Sequence, residues 1–244
     1  MDFKSTFSIW ARALTVNCKR PDKLAIILMA CFFILTSFLA YGDNGIYNSP
    51  DETASFFFAK NFAQYSSLSV EEPLNSPLIH PRSVNVREAR LVPGSFIGLI
   101  LFYGGLAKVF SVGAIPFFTP IFATAALAAF YYLVRKAKGN QTALIAGFIW
   151  LVHPALLYYT ARGLLPNMLF ASSLILTFFC LVQMLEKREI IAAVSAGFFS
   201  ALAIAIRPSE IIWILPLTIG GAAYFRKQIP ARLAVAAIIS AVIF

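Results

Sequence analysis

Apolar residues along this chain come in long blocks, at 24–41, 93–110, 112–134, 142–159, 165–185, 190–206 and 211–224, with a last block from 233. Crossing a hydrocarbon core takes about twenty apolar residues, and most blocks reach or approach that length. Between the first two blocks the pattern changes. In "YNSPDETASFFFAKNFAQY", residues 47–65, Phe58, Phe62 and Tyr65 recur at helical spacing with Lys60, Asn61 and Gln64 between them. This spacing predicts an amphipathic helix outside the apolar blocks. Ser49 suits the N-cap, Pro50 the first helical position, and Glu52 stands three residues after Ser49, as in a capping box. Asp51 and Glu52 then have two readings: helix-start carboxylates that complement the dipole, or a chemical site.

Composition raises the apolar pattern to a class. Of 244 residues 59% are hydrophobic and 13% charged, and the mean hydropathy is +0.78. A water-soluble domain cannot hide so much apolar surface, so the chain reads as a multi-pass membrane protein. The net charge of +9 does not indicate nucleic acid, because the basic residues cluster in short connections between apolar blocks. Cys18, Cys31 and Cys180 lie far apart, with no disulfide framework or metal cluster. Only the twelve residues of the mainly apolar "LAVAAIISAVIF" follow Arg232, too few for a span, so the chain reads as the front part of a longer protein.

The basic residues also orient the chain. Lys4, Arg12, Lys19, Arg20 and Lys23 precede the first block and place the N-terminus in the cytoplasm. If 93–110 crossed the membrane, Arg135, Lys136, Lys138, Lys187, Arg188, Arg226, Lys227 and Arg232 would lie outside. If it lies along or dips into the outer face, all eight are cytoplasmic and only Arg162 and Arg207 are external, which the preference of short basic loops favours. Gly94, Gly98, Gly104 and Gly105 also weaken this block as a regular helix. The expected layout is a cytoplasmic segment 1–23, a first transmembrane helix 24–41, an external loop 42–111 with amphipathic and horizontal helices, and a transmembrane helix bundle 112–244.

This plan resembles the GT-C superfamily of membrane glycosyltransferases, in particular the group of protein O-mannosyltransferases and aminoarabinose transferases. Asp51-Glu52 matches that group's Asp-Glu after the first span. "HPRSVNVREARLVPGSFIGLILFYGG", 80–105, sits where the group has a His-Pro or Glu-Lys-Pro-Pro element leading into a horizontal apolar helix. "HPALLYYTARGLLPNMLFASSLIL", 153–176, resembles its proline, small polar and arginine run opening the next span. "ALAIAIRPSEIIWILPL", 201–217, resembles its Leu-Thr-Lys-Gly-Pro element. Asn167 stands for a frequent acid, Arg207 for a lysine, and the doubled proline after His80 is missing.

The resemblance implies an all-α polytopic bundle of GT-C type. It implies a sugar moved with inversion from a polyprenyl-phosphate donor to an unidentified protein, lipid or glycan acceptor. The site would face outward from a prokaryotic cytoplasmic membrane. Asp51 becomes the base, with Glu52 either a cap or an orienting acid. Arg207 becomes the donor-phosphate partner, against an interfacial anchor with Glu210 as counter-ion. Arg162 is a second phosphate candidate. His80, Arg82 and Glu88 are acceptor contacts, against solvated loop residues. His153 beside Pro154 reads as a kink, and Glu71-Glu72 as a solvated pair. A divalent metal is left open as a cofactor, since oligosaccharyltransferase relatives use one, though no second acidic ligand motif is seen. Two other readings compete: a non-catalytic scaffold of the same fold, and an unrelated transporter, against which stands the shortage of mid-span ionisable residues beyond His153.

Overall fold

The computed structural model describes residues 20–42, 47, 49–71, 82–87, 90–94, 96–225 and 227–243. Among them the chain forms ten α-helices: α1 (Arg20–Gly42), α2 (Pro50–Tyr65), α3 (Ile97–Val109), α4 (Ile115–Lys138), α5 (Asn140–Val152), α6 (Pro154–Ala161), α7 (Pro166–Lys187), α8 (Ile190–Ile206), α9 (Ile211–Phe225) and α10 (Ala231–Ile243). The all-α expectation holds, with one addition. Three short strands, β1 (Val70–Glu71), β2 (Val84–Arg87) and β3 (Arg90–Pro93), form a small antiparallel sheet in the order β1-β3-β2. They lie in the stretch read only as polar loop.

Three helical segments are long and apolar enough to cross a membrane: Asp22–Tyr41, Val112–Lys138 and Pro166–Lys187. Two bent pairs bring the number to as many as five. α5 and α6 meet at 58° across His153, and α8 turns into α9 across Arg207. Proline sets both breaks. Its ring keeps the preceding residue out of the helical region, and His153 (φ −72, ψ 117) and Arg207 (φ −134, ψ 81) are accordingly extended. The kink expected at His153-Pro154 is therefore present. Large apolar side chains such as Ile34, Phe38, Ile145 and Phe148 are exposed on the spans, as a lipid solvent requires. The chain is an integral membrane protein.

Within the block 93–110, Ile97–Val109 does form a regular helix, contrary to the expectation from its glycines. α3 has 13 residues, so it is about 20 Å long and falls short of the ~30 Å hydrocarbon core. Its glycines are contact points. A Cβ on Gly104 would stand 2.9 Å from the carbonyl oxygen of Ala59 in α2, and one on Gly98 would overlap the carbonyl of Ala205 in α8. α3 is thus wedged between the amphipathic helix and the end of a span. The principal apolar cluster records the same wedge: Phe58 and Ala59 of α2 and Leu99, Ile100 and Tyr103 of α3 pack with Phe118, Leu169, Phe170, Leu202 and Ile206 of the bundle.

The bundle has two chemically different ends. At one, Arg135 near the end of α4 pairs with Asp22 at the start of α1, and Lys136 pairs with Glu186 at the end of α7. At the other lie the start of α4, the α6–α7 turn, the end of α8 and, packed against them, α2 and α3. α4 has 24 residues, about 36 Å at 1.5 Å per residue, so the ends are a bilayer's thickness apart.

Candidate active site

The acids open α2. Ser49 is extended, as an N-cap should be, and Pro50 follows at the first helical position. The capping box itself is not formed: the Ser49 side chain makes no cap hydrogen bond. Instead the Thr53 amide and hydroxyl both donate to the Ser49 carbonyl oxygen, each at 3.1 Å. Glu52 is 1% exposed and points into the protein. There it meets Arg162, 110 positions away, whose Nε donates to Glu52 Oε2 at 2.7 Å and whose terminal nitrogen reaches the same oxygen. A carboxylate buried without a partner would be prohibitive, and removing one member of such a pair typically costs about 3–5 kcal/mol. Burial and this pairing correct the capping-box expectation for Glu52.

Arg162 is held as firmly as it holds. It caps the C-terminus of α6, its amide donating to Tyr158 O at 2.8 Å and its carbonyl accepting from Leu165 N at 3.1 Å. Its guanidinium lies 5.5 Å from the centre of the Tyr158 ring, within range of a cation–π contact. The next residue, Gly163, accepts a hydrogen bond from the Thr119 hydroxyl of α4. Thr119 is also hydrogen-bonded to the Tyr103 hydroxyl of α3. Burial pushes the Tyr103 phenol well above its ordinary range, an effect the Thr119 bond only partly offsets, so it serves as a neutral hydroxyl.

Asp51 takes a different partner. Ser83, in the turn just before β2, donates its hydroxyl to Asp51 Oδ1. Ser83 has φ +67, a conformation uncommon for a residue with a side chain, and its carbonyl accepts from Gly94 N at 3.1 Å. A Cβ on Gly94 would lie 2.8 Å from that carbonyl oxygen, so the sheet closes tightly here and aims Ser83 at the acid. Neither Ser83 nor the Tyr103–Thr119 pair was singled out in the sequence. The alternation in "SVNVREARLV" is the only local sign of the strands that carry Ser83.

Arg207 caps α8, where cations complement the helix dipole and where Pro208 forces the chain outward. Its guanidinium is 3.3 Å from Asn167 Oδ1 at the start of α7 and 3.2 Å from Glu210 Oε1, and stands 5.5 Å from the centre of the Phe170 ring. Glu210 is shared with the Trp213 indole, which donates to its other oxygen. The residues at Arg207 are thus a neutral amide, an aromatic face and one carboxylate that divides its attention. Arg162 and Asn167 stand five positions apart across one tight turn. The Glu52–Arg162 and Asn167–Arg207 contacts thus both lie at the end of the bundle where α6 gives way to α7.

Of the remaining expected acceptor contacts, Arg82 is exposed beside Ser83, while His80 and Glu88 lie outside the described residues. Glu71 pairs with Arg90 across β1 and β3 at 3.1 Å, in the open. Among the described residues no three His, Cys, Asp or Glu side chains group as metal ligands.

A family model that matches residues 99–244 places this polytopic helix bundle in the GT-C superfamily of membrane glycosyltransferases. The chain belongs to the dolichyl-phosphate-mannose-protein mannosyltransferase family, whose model this is. Arg162, Asn167 and Arg207 fall within the match, and Asp51 and Glu52 ahead of it. The family sets aside the reading as an unrelated transporter. No curated protein matches the chain.

Proposed function

We propose that the protein moves a sugar from a polyprenyl-phosphate donor to an acceptor on the outer side of the membrane, with inversion at the anomeric carbon. The acceptor hydroxyl or amine attacks that carbon as its proton passes to Asp51. The bond from carbon to phosphate oxygen breaks, and the lipid phosphate departs with its negative charge facing Arg207. A carboxylate placed for this proton transfer typically contributes about 10²–10⁴-fold. A guanidinium matches a phosphate with two parallel hydrogen bonds.

One observation carries this reading: the Asp51-Glu52 helix start is fastened by Arg162 to the turn before α7, whose Asn167 contacts Arg207, and the carboxylate paired with Arg207, Glu210, is itself shared with Trp213. Asn167 supports it further, because an amide there does not neutralise Arg207 as a carboxylate would. The layout proposed with it keeps 24–41 as the first transmembrane helix, 42–111 as an external loop with α2 and α3 along the outer face, and 112–244 as the bundle. Arg82, with His80 and Glu88, is proposed to meet the acceptor. A membrane-level phosphate cation and an outward-facing base fit a lipid-linked donor better than a soluble nucleotide sugar.

The test is label transfer by the full-length protein in lipid nanodiscs, offered polyprenyl-phosphate sugars and nucleotide sugars side by side. Label should leave only the lipid donors. Arg207→Ala should weaken binding of polyprenyl phosphate and slow transfer, and Arg207→Lys should restore part of both. Transfer from nucleotide sugars alone, or donor binding indifferent to Arg207→Ala, would overturn the assignment.

A further inference from the structure

Four elements meet at a continuous line of polar contacts that ends on the acid helix. Tyr103 of α3 bonds Thr119 of α4, Thr119 bonds the Gly163 carbonyl, and the adjoining Arg162 grips Glu52 of α2. Every side chain in it is largely withdrawn from water: Tyr103, Thr119 and Glu52 are at 0–1% exposure, and the Arg162 side chain is at 16%. Gly163 allows no substitute, since a Cβ there would stand 2.9 Å from the Thr119 Cβ. Polar groups are expensive to bury, and a fully paired buried network rigidifies what it joins.

We propose that Arg162 and Thr119 are positioning residues for the glycosyl transfer. Arg162 anchors Glu52 and thereby fixes the first turn of α2, where the neighbouring Asp51 must face the anomeric carbon. Thr119 fixes the turn that carries Arg162. This rests on the function proposed above, and it takes Arg162 out of the donor-phosphate site. Its Nε and a terminal nitrogen both serve one carboxylate oxygen, and the ring of Tyr158 lies against it, so that edge of the group holds α2. A base displaced by about 1 Å can lose on the order of 10²-fold in rate, which is the scale on which the clamp acts.

The test compares Arg162→Lys, Thr119→Val and Thr119→Ser with the wild type as full-length protein in nanodiscs. Three quantities are read: transfer at saturating donor, binding of a fluorescent polyprenyl phosphate, and amide hydrogen exchange over residues 51–58. Arg162→Lys keeps the charge and loses the two-nitrogen grip. It should cut transfer by about 10²-fold while the polyprenyl-phosphate Kd stays within about twofold. Thr119→Val should move transfer and exchange the same way by a smaller factor, and Thr119→Ser should restore both. A parallel rise in Kd with Arg162→Lys would put Arg162 on the phosphate and overturn the proposal. So would unchanged exchange over 51–58, or full transfer per folded molecule in Thr119→Val. A wild type that transfers from no polyprenyl-phosphate sugar would defeat the proposed function instead, and the exchange measurement would still judge the clamp.

Discussion

Gly98 of α3 lies so close to Ala205 of α8 that a methyl group on it would overlap the Ala205 carbonyl oxygen. Two residues beyond Ala205 the span ends at Arg207. The short helix therefore rests directly on the backbone that aims this arginine, and it rests through a second glycine, Gly104, on the helix that begins with the acids. α3 is the spacer between the two halves of the proposed site.

Gly98→Ala should separate those halves. Overpacking against backbone has no flexible side chain to absorb it and typically costs about 1–3 kcal/mol. Transfer should fall at least tenfold, with a lower thermal midpoint. Gly105→Ala is the control on the same helix: nothing lies within 4 Å of its added Cβ, and alanine is the better helix former. Activity and midpoint should be kept or rise. Equal tolerance of both substitutions, measured side by side, would mean that α3 does not bear on Arg207.

Glu210 competes with any anion for Arg207. The pair is three residues apart, with side chains 35% and 23% exposed, so its strength is modest, within about 1 kcal/mol. Glu210→Gln should therefore tighten polyprenyl-phosphate binding by up to about fivefold, seen in direct titration. Weaker binding would show that Glu210 positions the arginine and does not oppose the donor.

The layout is testable by tagging. Gly139 and Lys187 are exposed at the end of the bundle that holds Arg135, Lys136 and Glu186. Accessibility tags there should report the cytoplasm, and a tag at the exposed Gln64 of α2 the outside. An external signal at Gly139 would require α3 to cross the membrane after all.

Much of the fold was legible because its determinants are local. The apolar blocks mark where the long helices fall, and the Xaa-Pro step at His153 marks its break, since proline constrains its own neighbour. The start of α2 was read correctly at Ser49 and Pro50 for the same reason. Glu52 was misread as half of a capping box because its true partner is Arg162, 110 positions away, and no local pattern encodes a contact across two elements. The glycines of α3 were read through their helix propensity, while their effect depends on Ala59 and Ala205. The strands around Ser83 are two to four residues long, too short for alternation to stand out from loop. Asp51 and Arg207 were named as candidates by resemblance and chain position. Ser83, Thr119 and Tyr103 needed the packing.

The role of Asp51 is the centre of the account, and one comparison reaches it most directly: sugar transfer at saturating polyprenyl-phosphate donor by wild type and Asp51→Asn, with donor binding measured on the same samples. Asparagine keeps the size and accepts the Ser83 hydrogen bond, but it cannot take the acceptor's proton. Turnover should drop by about 10²-fold or more with the donor Kd essentially unchanged. Asp51→Asn turning over at the wild-type rate would contradict the account: the transfer would then take its proton acceptor elsewhere, and Asp51 would only build the start of the helix.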